Sequence, residues 1–274
     1  MSDITKYFTA QKKSIPVFIS DSNLEGHYNR YCKQILWPTF HYQIPDNPRF
    51  KSWENESWEH YIAVNKAFAD AIVSQYKRGD AVWVNDYHLL LVPRMVREMI
   101  PHAMIGLFLH IAFPSSEVFR CLPGTSRKCE MLTEARRDLL EGALGSTLVS
   151  FQTEEYARHF LQTCSRILAV ETVELGCMLD DGRVIRVNAD PIGIDVPALE
   201  AQIMDPQVSS MCHFLKDRYV GKKLLVSRDK FDHIKGLKPK LLAYERFLSD
   251  HPEWKEKVPI LESCKVNARW SSFK

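Results

Sequence analysis

Residues 81–117 read AVWVNDYHLLLVPRMVREMIPHAMIGLFLHIAFPSSE, and this stretch decides the fold. Two short apolar runs bracket it, at 81–84 and 105–109. Each is rich in strand formers and ends in polar residues, the pattern of a buried parallel strand. Between them, residues 89–99 carry apolar side chains at helical spacing. Strand, polar turn, helix, strand, polar turn is a βαβ unit. Open α/β sheets bind ligands beyond the carboxyl ends of their strands. Asp86, His88 and His110 fall at those ends, so that edge is the candidate site.

Upstream, residues 58–77 set Tyr61, Ile62, Asn65, Phe68, Ala69, Ile72 and Tyr76 on one helical face, and Gly79 supplies the usual helix stop. Residues 15–20 read as a short strand, 23–35 as a helix leading into Leu36-Trp37-Pro38, and 45–53 as loop. Downstream, a helix opens at 115–117, resumes at 136–144, and precedes a third buried strand at 147–151. Thr153 caps the next helix, which runs to about Leu168. Residues 177–187 read as a hairpin turning at Asp180-Asp181-Gly182-Arg183. The first domain therefore spans 1–195. A second α/β domain, 196–274, has a helix and linker at 198–220 and a strand at 224–227. The polar end of that strand runs from Arg228 to Gly236, followed by a helix at 239–248. The run 258–261 starts like a strand but holds Pro259, unfavourable in a central strand. Residues 262–274 show no clear pattern.

The bulk numbers exclude several classes. Hydrophobic content of 45% and charged content of 26% are those of a globular protein. With 36 basic and 34 acidic residues the net charge is +2, which gives no nucleic-acid or membrane signature. No apolar run approaches the ~18 residues of a membrane helix. The 7 cysteines stand singly, with no CxxC pair to suggest a zinc or redox motif. Their odd count and the lack of a signal peptide fit reduced thiols and a cytoplasmic protein.

Carboxylates and imidazoles suit a sugar site because they accept from and donate to hydroxyls at fixed geometry. Asp86 could also act as a general base and His110 as an acid, although strand-end polar residues often serve only as turn formers. His88, two residues after Asp86, reads better as a structural histidine. Tyr28 and Trp37 lie beside polar turns where aromatics can line sugar pockets, but taken alone each is better explained as a core or rim aromatic. Lys230 and Lys235 follow a strand and could hold a diphosphate and stabilise a leaving group; lysines more often are simply solvated. Neither GxGxxG nor GxxxxGK[ST] occurs, so no dinucleotide fingerprint or P-loop is present. Nothing in the spacing specifies a metal site.

Taken together these motifs resemble the trehalose-6-phosphate synthase family of retaining glycosyltransferases. The matching stretches are Tyr28-Asn29 with Leu36-Trp37-Pro38, WVNDYHLLLVP, IGLFLHIAFPSSEVFRCL, RRDLLEG, FQTEEYARHFLQTC, DPIGID, and DKFDHIKG with KLLAYERFLSDHPEWKEKV. They keep the family's order from about residue 15 to about residue 258. The resemblance implies a GT-B-like α/β fold: two Rossmann-like domains, parallel sheets with helices on both faces, and an active site in the cleft between them. It implies transfer of glucose from UDP-glucose to glucose 6-phosphate, giving trehalose 6-phosphate and UDP. UDP-glucose is then a donor substrate, with no cofactor and no metal. By the same resemblance Tyr28 and Trp37 match acceptor-site residues, Asp86 and His110 match residues contacting the sugars, and Lys230 and Lys235 match the pair on the donor diphosphate.

The departures carry information too. Asn85 stands where the family usually has His, and Ala112 where it usually has Pro. Lys230 replaces the diphosphate arginine, keeping the charge but losing the bidentate fork. AFPSSE and SRDKFD look more like the non-catalytic regulatory subunits of the fungal trehalose synthase complex, which bind its synthase and phosphatase subunits. Pro123 to Ala135 reads as an insertion, and a retained intron or a faulty gene model would produce both it and the irregular tail. The family's first strand and glycine-containing phosphate loop would precede this sequence, and most of the donor domain would follow Val258. The expectation is a truncated second domain and a chain that is inactive and poorly soluble by itself.

Overall fold

The computed structural model describes residues 2–43, 55–122, 132–174, 176–230 and 235–265. The chain divides into two compact units, Met1–Ile192 and Gly193–Lys274.

Unit 1 opens with α1 (Ser2–Lys12). The short α2 (Asp21–Leu24) is capped by the Ser20 hydroxyl, which accepts from the Asn23 N–H at 3.2 Å. It continues through a π-helical stretch, Glu25–Leu36, into α3 (Trp37–Phe40). Residues 14–20 do not form the expected strand. Pro16 offers no N–H to a ladder, and Ile15 and Val17 instead line a groove with Phe68 and Ile72 beside the next strand. The loop expected at 45–53 lies outside the described residues.

The rest of the unit is built around one sheet. Helix α4 (Asn55–Gln75) precedes β1 (Ala81–Asn85), a 3-10 turn at Tyr87–Leu89, α5 (Val92–Met99) and β2 (Met104–Phe108). Then come α6 (Ser116–Phe119), α7 (Leu132–Leu144), β3 (Leu148–Phe151) and α8 (Glu154–Leu168). Strands β4 (Glu171–Val173), β5 (Gly176–Met178) and β6 (Val184–Ala189) complete it. The spatial order is β1-β2-β3-β6-β5-β4. The first four strands run parallel, and β5 and β4 add antiparallel to β6. The sheet is thus mixed, not wholly parallel, because the 177–187 hairpin turns the chain back along β6. Alternation along the strands sends Val82, Val84, Ile105, Leu107, Val149, Ile185 and Val187 into a core shared with α4, α5, α7 and α8. The alternate residues differ sharply: Phe108 is buried, but Trp83 is 72% exposed. Most of the suspected insertion, residues 123–131, lies outside the described residues; α7 begins at Leu132.

Unit 2 holds α9 (Val196–Ile203), α10 (Pro206–Arg218), β7 (Leu225–Lys230), α11 (Leu237–Asp250) and β8 (Ile260–Lys265). Asp195 and Asp205 cap the two leading helices with their carboxylates. β7 and β8 pair in parallel, joined by α11, which makes a second βαβ unit. β8 starts just after Pro259, whose carbonyl accepts from the Leu225 N–H at 3.0 Å, so the proline costs the ladder no donor. The strand then continues to Lys265, into the stretch whose pattern is unreadable in the sequence.

Candidate functional site

Asp86 follows β1 with φ 69° and ψ 173°, a conformation that non-glycine residues rarely adopt. Its N–H donates to the Phe108 carbonyl at 2.7 Å, and one carboxylate oxygen accepts from the His110 N–H at 3.2 Å. The two strand ends are therefore tied together through Asp86. The His110 ring lies edge-on to Phe108 at 4.7 Å, and its Nε2 donates to the Asn85 amide oxygen at 3.1 Å. Asn85 is thus the direct partner of His110. Asn85, Phe108, His110, Ser150 and Asp190 line part of a cavity of about 440 Å³. In it the Ser150 hydroxyl donates to Asp190 at 2.7 Å.

The strained turn is clamped from behind. Tyr61 donates its hydroxyl proton to the Tyr87 carbonyl at 2.7 Å and accepts from the Leu90 N–H at 3.1 Å. The Asn65 amide donates to the His88 carbonyl at 3.1 Å and accepts from the Leu91 N–H at 3.1 Å. His27 Nε2 lies 2.9 Å from that same carbonyl. Since a carbonyl only accepts, this nitrogen carries the proton. Four of the turn's backbone groups are satisfied by three buried side chains, which offsets the desolvation of a polar turn in a core. Burial pushes the His27 imidazole below its ordinary pKa. Burial does the same to His88, with Asp86, 3.7 Å away, pulling the other way. Burial also pushes the Cys32 thiol well up, so it is inert as a nucleophile.

Tyr28 and Trp37 flank this turn differently. The Tyr28 ring stacks on His88 at 5.7 Å, and the Lys33 ammonium sits 4.0 Å from the Tyr28 centroid. Trp37 is half-buried, 4.0 Å from His41 and 6.0 Å from Tyr87 between ring centres. The structure therefore brings Asp86, His88, His110 and Tyr28 into one polar cluster, with Trp37 one ring further along. His88 joins that cluster through its carbonyl, its ring stacking on Tyr28 and its ring nitrogen 3.7 Å from Asp86. Lys33, Asn65 and His27 escape a sequence reading. Lys33 looks like any solvated lysine, and the other two look like ordinary helix residues until the fold sets them behind the turn.

Lys230 and Lys235 belong to unit 2. Lys230 is the last residue of β7, opposite Lys265 of β8, and not part of the following loop. Lys235 is exposed and precedes Gly236, whose φ of 71° lets the chain turn into α11. Residues 231–234 between them lie outside the described residues. A third lysine was not foreseen: Lys240 of α11 reaches Ser227, Asp229 and Glu262, bracing both strands. Its contact holds Asp229 below the usual carboxylate range. Among the described residues, no group of three or more His, Cys, Asp or Glu side chains could hold a metal ion. No described helix is long and apolar enough to cross a membrane.

The sequence profile of glycosyltransferase family 20 matches residues 1–271. The chain belongs to that family. It is 47% identical over 264 residues to the trehalose synthase complex regulatory subunit TSL1 of Saccharomyces cerevisiae, covering 96% of this chain and 23% of that protein. It is 42% identical over 253 residues to the UDP-forming alpha,alpha-trehalose-phosphate synthase of Emericella nidulans, covering 91% and 47% respectively. Among solved structures, the N-terminal domain of Candida albicans trehalose-6-phosphate phosphatase superposes with a TM-score of 0.82 at 35% identity, over 97% of this chain and 55% of that one. An E. coli trehalose-6-phosphate structure bound with UDP-2-fluoro glucose gives 0.80 at 29% identity, over 91% and 52%. The GT-B-like fold and the link to trehalose-phosphate synthases follow from these matches. The chain spans from about a quarter to about half the length of these family 20 relatives.

Proposed function

We propose that this chain forms the acceptor-side domain, 1–195, and the start of the nucleotide-sugar-side domain, 196–274, of a trehalose-6-phosphate synthase-like glycosyltransferase. In that reaction the glucosyl–oxygen bond to UDP breaks with the bonding pair leaving on the diphosphate. A new bond forms from the same anomeric carbon to an oxygen of glucose 6-phosphate, with retained configuration. Asp86 and His110 hold the sugar hydroxyls, Tyr28 and Trp37 flank the acceptor, and Lys230 and Lys235 take up the charge growing on the diphosphate. The observation that carries this reading is the Asp86–His110 link across two strand ends, beside the exposed Tyr28 ring. UDP-glucose is a substrate in it, and no cofactor enters.

Calorimetric titration of glucose 6-phosphate and of UDP-glucose tests it. Glucose 6-phosphate is expected to bind one-to-one, and Asp86→Ala to weaken that binding by roughly tenfold or more, the scale of a lost charge-assisted hydrogen bond. Binding unaffected by Asp86→Ala would refute the site. Transfer needs donor and acceptor held together by a complete donor domain, so the isolated chain is expected to release no UDP.

A second reading has its own observation. By the sequence resemblance Lys230 falls where catalytic members carry the diphosphate arginine, and a point-charge lysine grips a diphosphate less well than a forked guanidinium. The chain would then serve assembly with other trehalose synthase complex subunits, as the name of its S. cerevisiae relative describes for that protein. Retention of a full-length synthase subunit on the immobilised chain, with no UDP-glucose binding recovered by Lys230→Arg, favours this reading.

A further inference from the structure

The chain leaves α3 in a backbone conformation that favours glycine, yet it carries a tyrosine there. Tyr42 has φ 60°, in the left-handed region. Its N–H donates to the Thr39 carbonyl at 3.1 Å, and the Gln43 N–H donates to the Pro38 carbonyl at 2.8 Å. This pair of bonds is the Schellman ending of a helix, where glycine usually takes the left-handed position because a Cβ is strained in it. The turn itself therefore gains nothing from a side chain at 42. A residue that breaks a local rule in this way needs a compensating contact elsewhere.

The compensation lies at the phenol oxygen. It accepts from the Ser115 N–H at 2.9 Å. The Nδ1 of His159 lies 3.4 Å from the same oxygen and 3.1 Å from the Phe113 carbonyl. A carbonyl only accepts, so this nitrogen carries the proton and shares it between the two oxygens. Phe113 and Ser115 belong to the loop 109–115, which leaves β2, carries His110 and leads into α6. Tyr42 thus joins three elements: α3, which begins with Trp37; the His110 loop; and α8, which holds His159. The loop is then tied near both ends, the His110 N–H to Asp86 and the Ser115 N–H to Tyr42. Phe40 also meets Phe113 at 5.5 Å between ring centres. That apolar contact is non-directional, whereas the hydroxyl bonds fix distance and angle. We infer that Tyr42, supported by His159, is a positioning residue of the acceptor site: its hydroxyl sets the spacing between Trp37 and His110 across which glucose 6-phosphate is held. The inference rests on the reading of Trp37 and His110 as acceptor-site groups, which itself assigns no role to Tyr42 or His159.

The test is calorimetric titration of glucose 6-phosphate into the chain and its variants. Tyr42→Phe keeps the ring and removes the phenol oxygen alone. It should weaken binding by roughly two- to tenfold, the scale of one net hydrogen bond. His159→Ala should weaken it similarly. His159→Asn, whose amide N–H replaces the Nδ1 donor, should restore most of the wild-type affinity. Tyr244→Phe, which removes a hydroxyl bond to the Val258 carbonyl in unit 2, should leave it unchanged. A second readout needs no ligand. The His110 ring protons should shift in the NMR spectrum of Tyr42→Phe, whereas a hydroxyl that served only the fold would lower the melting temperature without moving them. If Tyr42→Phe melts early, titration at a lower temperature, where far-UV circular dichroism matches the wild type, makes the same comparison. Wild-type affinity in folded Tyr42→Phe, or unmoved His110 resonances, overturns the inference and leaves the Asp86 site standing. No binding by the wild type overturns the acceptor reading and the inference together, so the two failures are told apart by the wild-type titration.

Discussion

In unit 1, β1 and β2 bury Val82, Val84, Ile105 and Leu107 in a core shared with α4, α5 and α7. In unit 2, β7 and β8 leave Leu225 and Val226 46% and 70% exposed. The two βαβ units have the same topology: a parallel strand pair in continuous register, joined by a helix. Their crossover helices differ as the strands do. Helix α5 buries Val92, Pro93 and Val96, whereas α11 buries no residue. Val258 is the one buried residue among the described residues of unit 2. The backbone ladder and the sequence pattern therefore set the pairing in both units, but a core forms only where further layers close over the apolar face. Unit 2 is braced instead by polar contacts, Lys240 to Asp229 and Glu262 foremost.

Truncating matched side chains is the strongest way to break this contrast. Leu107→Ala should cost roughly 2–5 kcal/mol, from lost burial and the cavity it leaves. Val226→Ala should stay within about 0.5 kcal/mol. Urea unfolding of both variants checks this, and equal losses would erase the distinction. A smaller effect sharpens what holds the Asp86 turn. Asn65→Ala leaves the Leu91 N–H without its buried acceptor and removes one donor from the His88 carbonyl. It should cost about 1–3 kcal/mol, read by the same measurement. A cost near zero would mean that Tyr61 and His27 hold the turn alone.

The pH dependence should follow the same division. Folding depresses the His27 pKa, so its contribution to stability is complete above the ordinary value of 6.5. That contribution is lost as the pH falls through 6.5 toward the folded value, because the unfolded state then binds more protons. The melting temperature of the chain should fall over that window, and His27→Gln should flatten the fall; an unchanged slope would remove His27 from the account. The smallest expected effect lies in unit 2. Lys240 holds Asp229 below the ordinary 3.8, so that stabilisation is present above 3.8 and is lost only in stronger acid. Solvent screens this exposed contact. Lys240→Met should return the Asp229 carboxyl titration toward 3.8 by NMR, and a titration that does not move would show that other groups hold it down.

Much of this was legible without coordinates. The runs at 81–84 and 105–109, the helix between them, the Thr153 cap and the 177–187 hairpin each carry local signals, and each forms. The cap hydroxyl accepts from the Tyr156 N–H at 3.4 Å, the interaction its position foretells. The short segment 15–20 misled, because apolar content does not distinguish a paired strand from an extended chain lying beside one. Pro259 misled in the other direction, because its effect depends on whether the ladder needs an N–H there.

Sequence alone determined the strand–helix alternation, the placement of Asp86 and His110 at strand ends, and membership in glycosyltransferase family 20. Those follow from periodicity and from long ordered motifs, which are properties of the chain itself. Only the tertiary structure decided that Asn85 holds His110 and that Tyr61, Asn65 and His27 clamp the turn. It also decided that one βαβ unit is a core and the other a surface. Such facts depend on which distant residues meet, and burial and electrostatic energy belong to the meeting rather than to either residue.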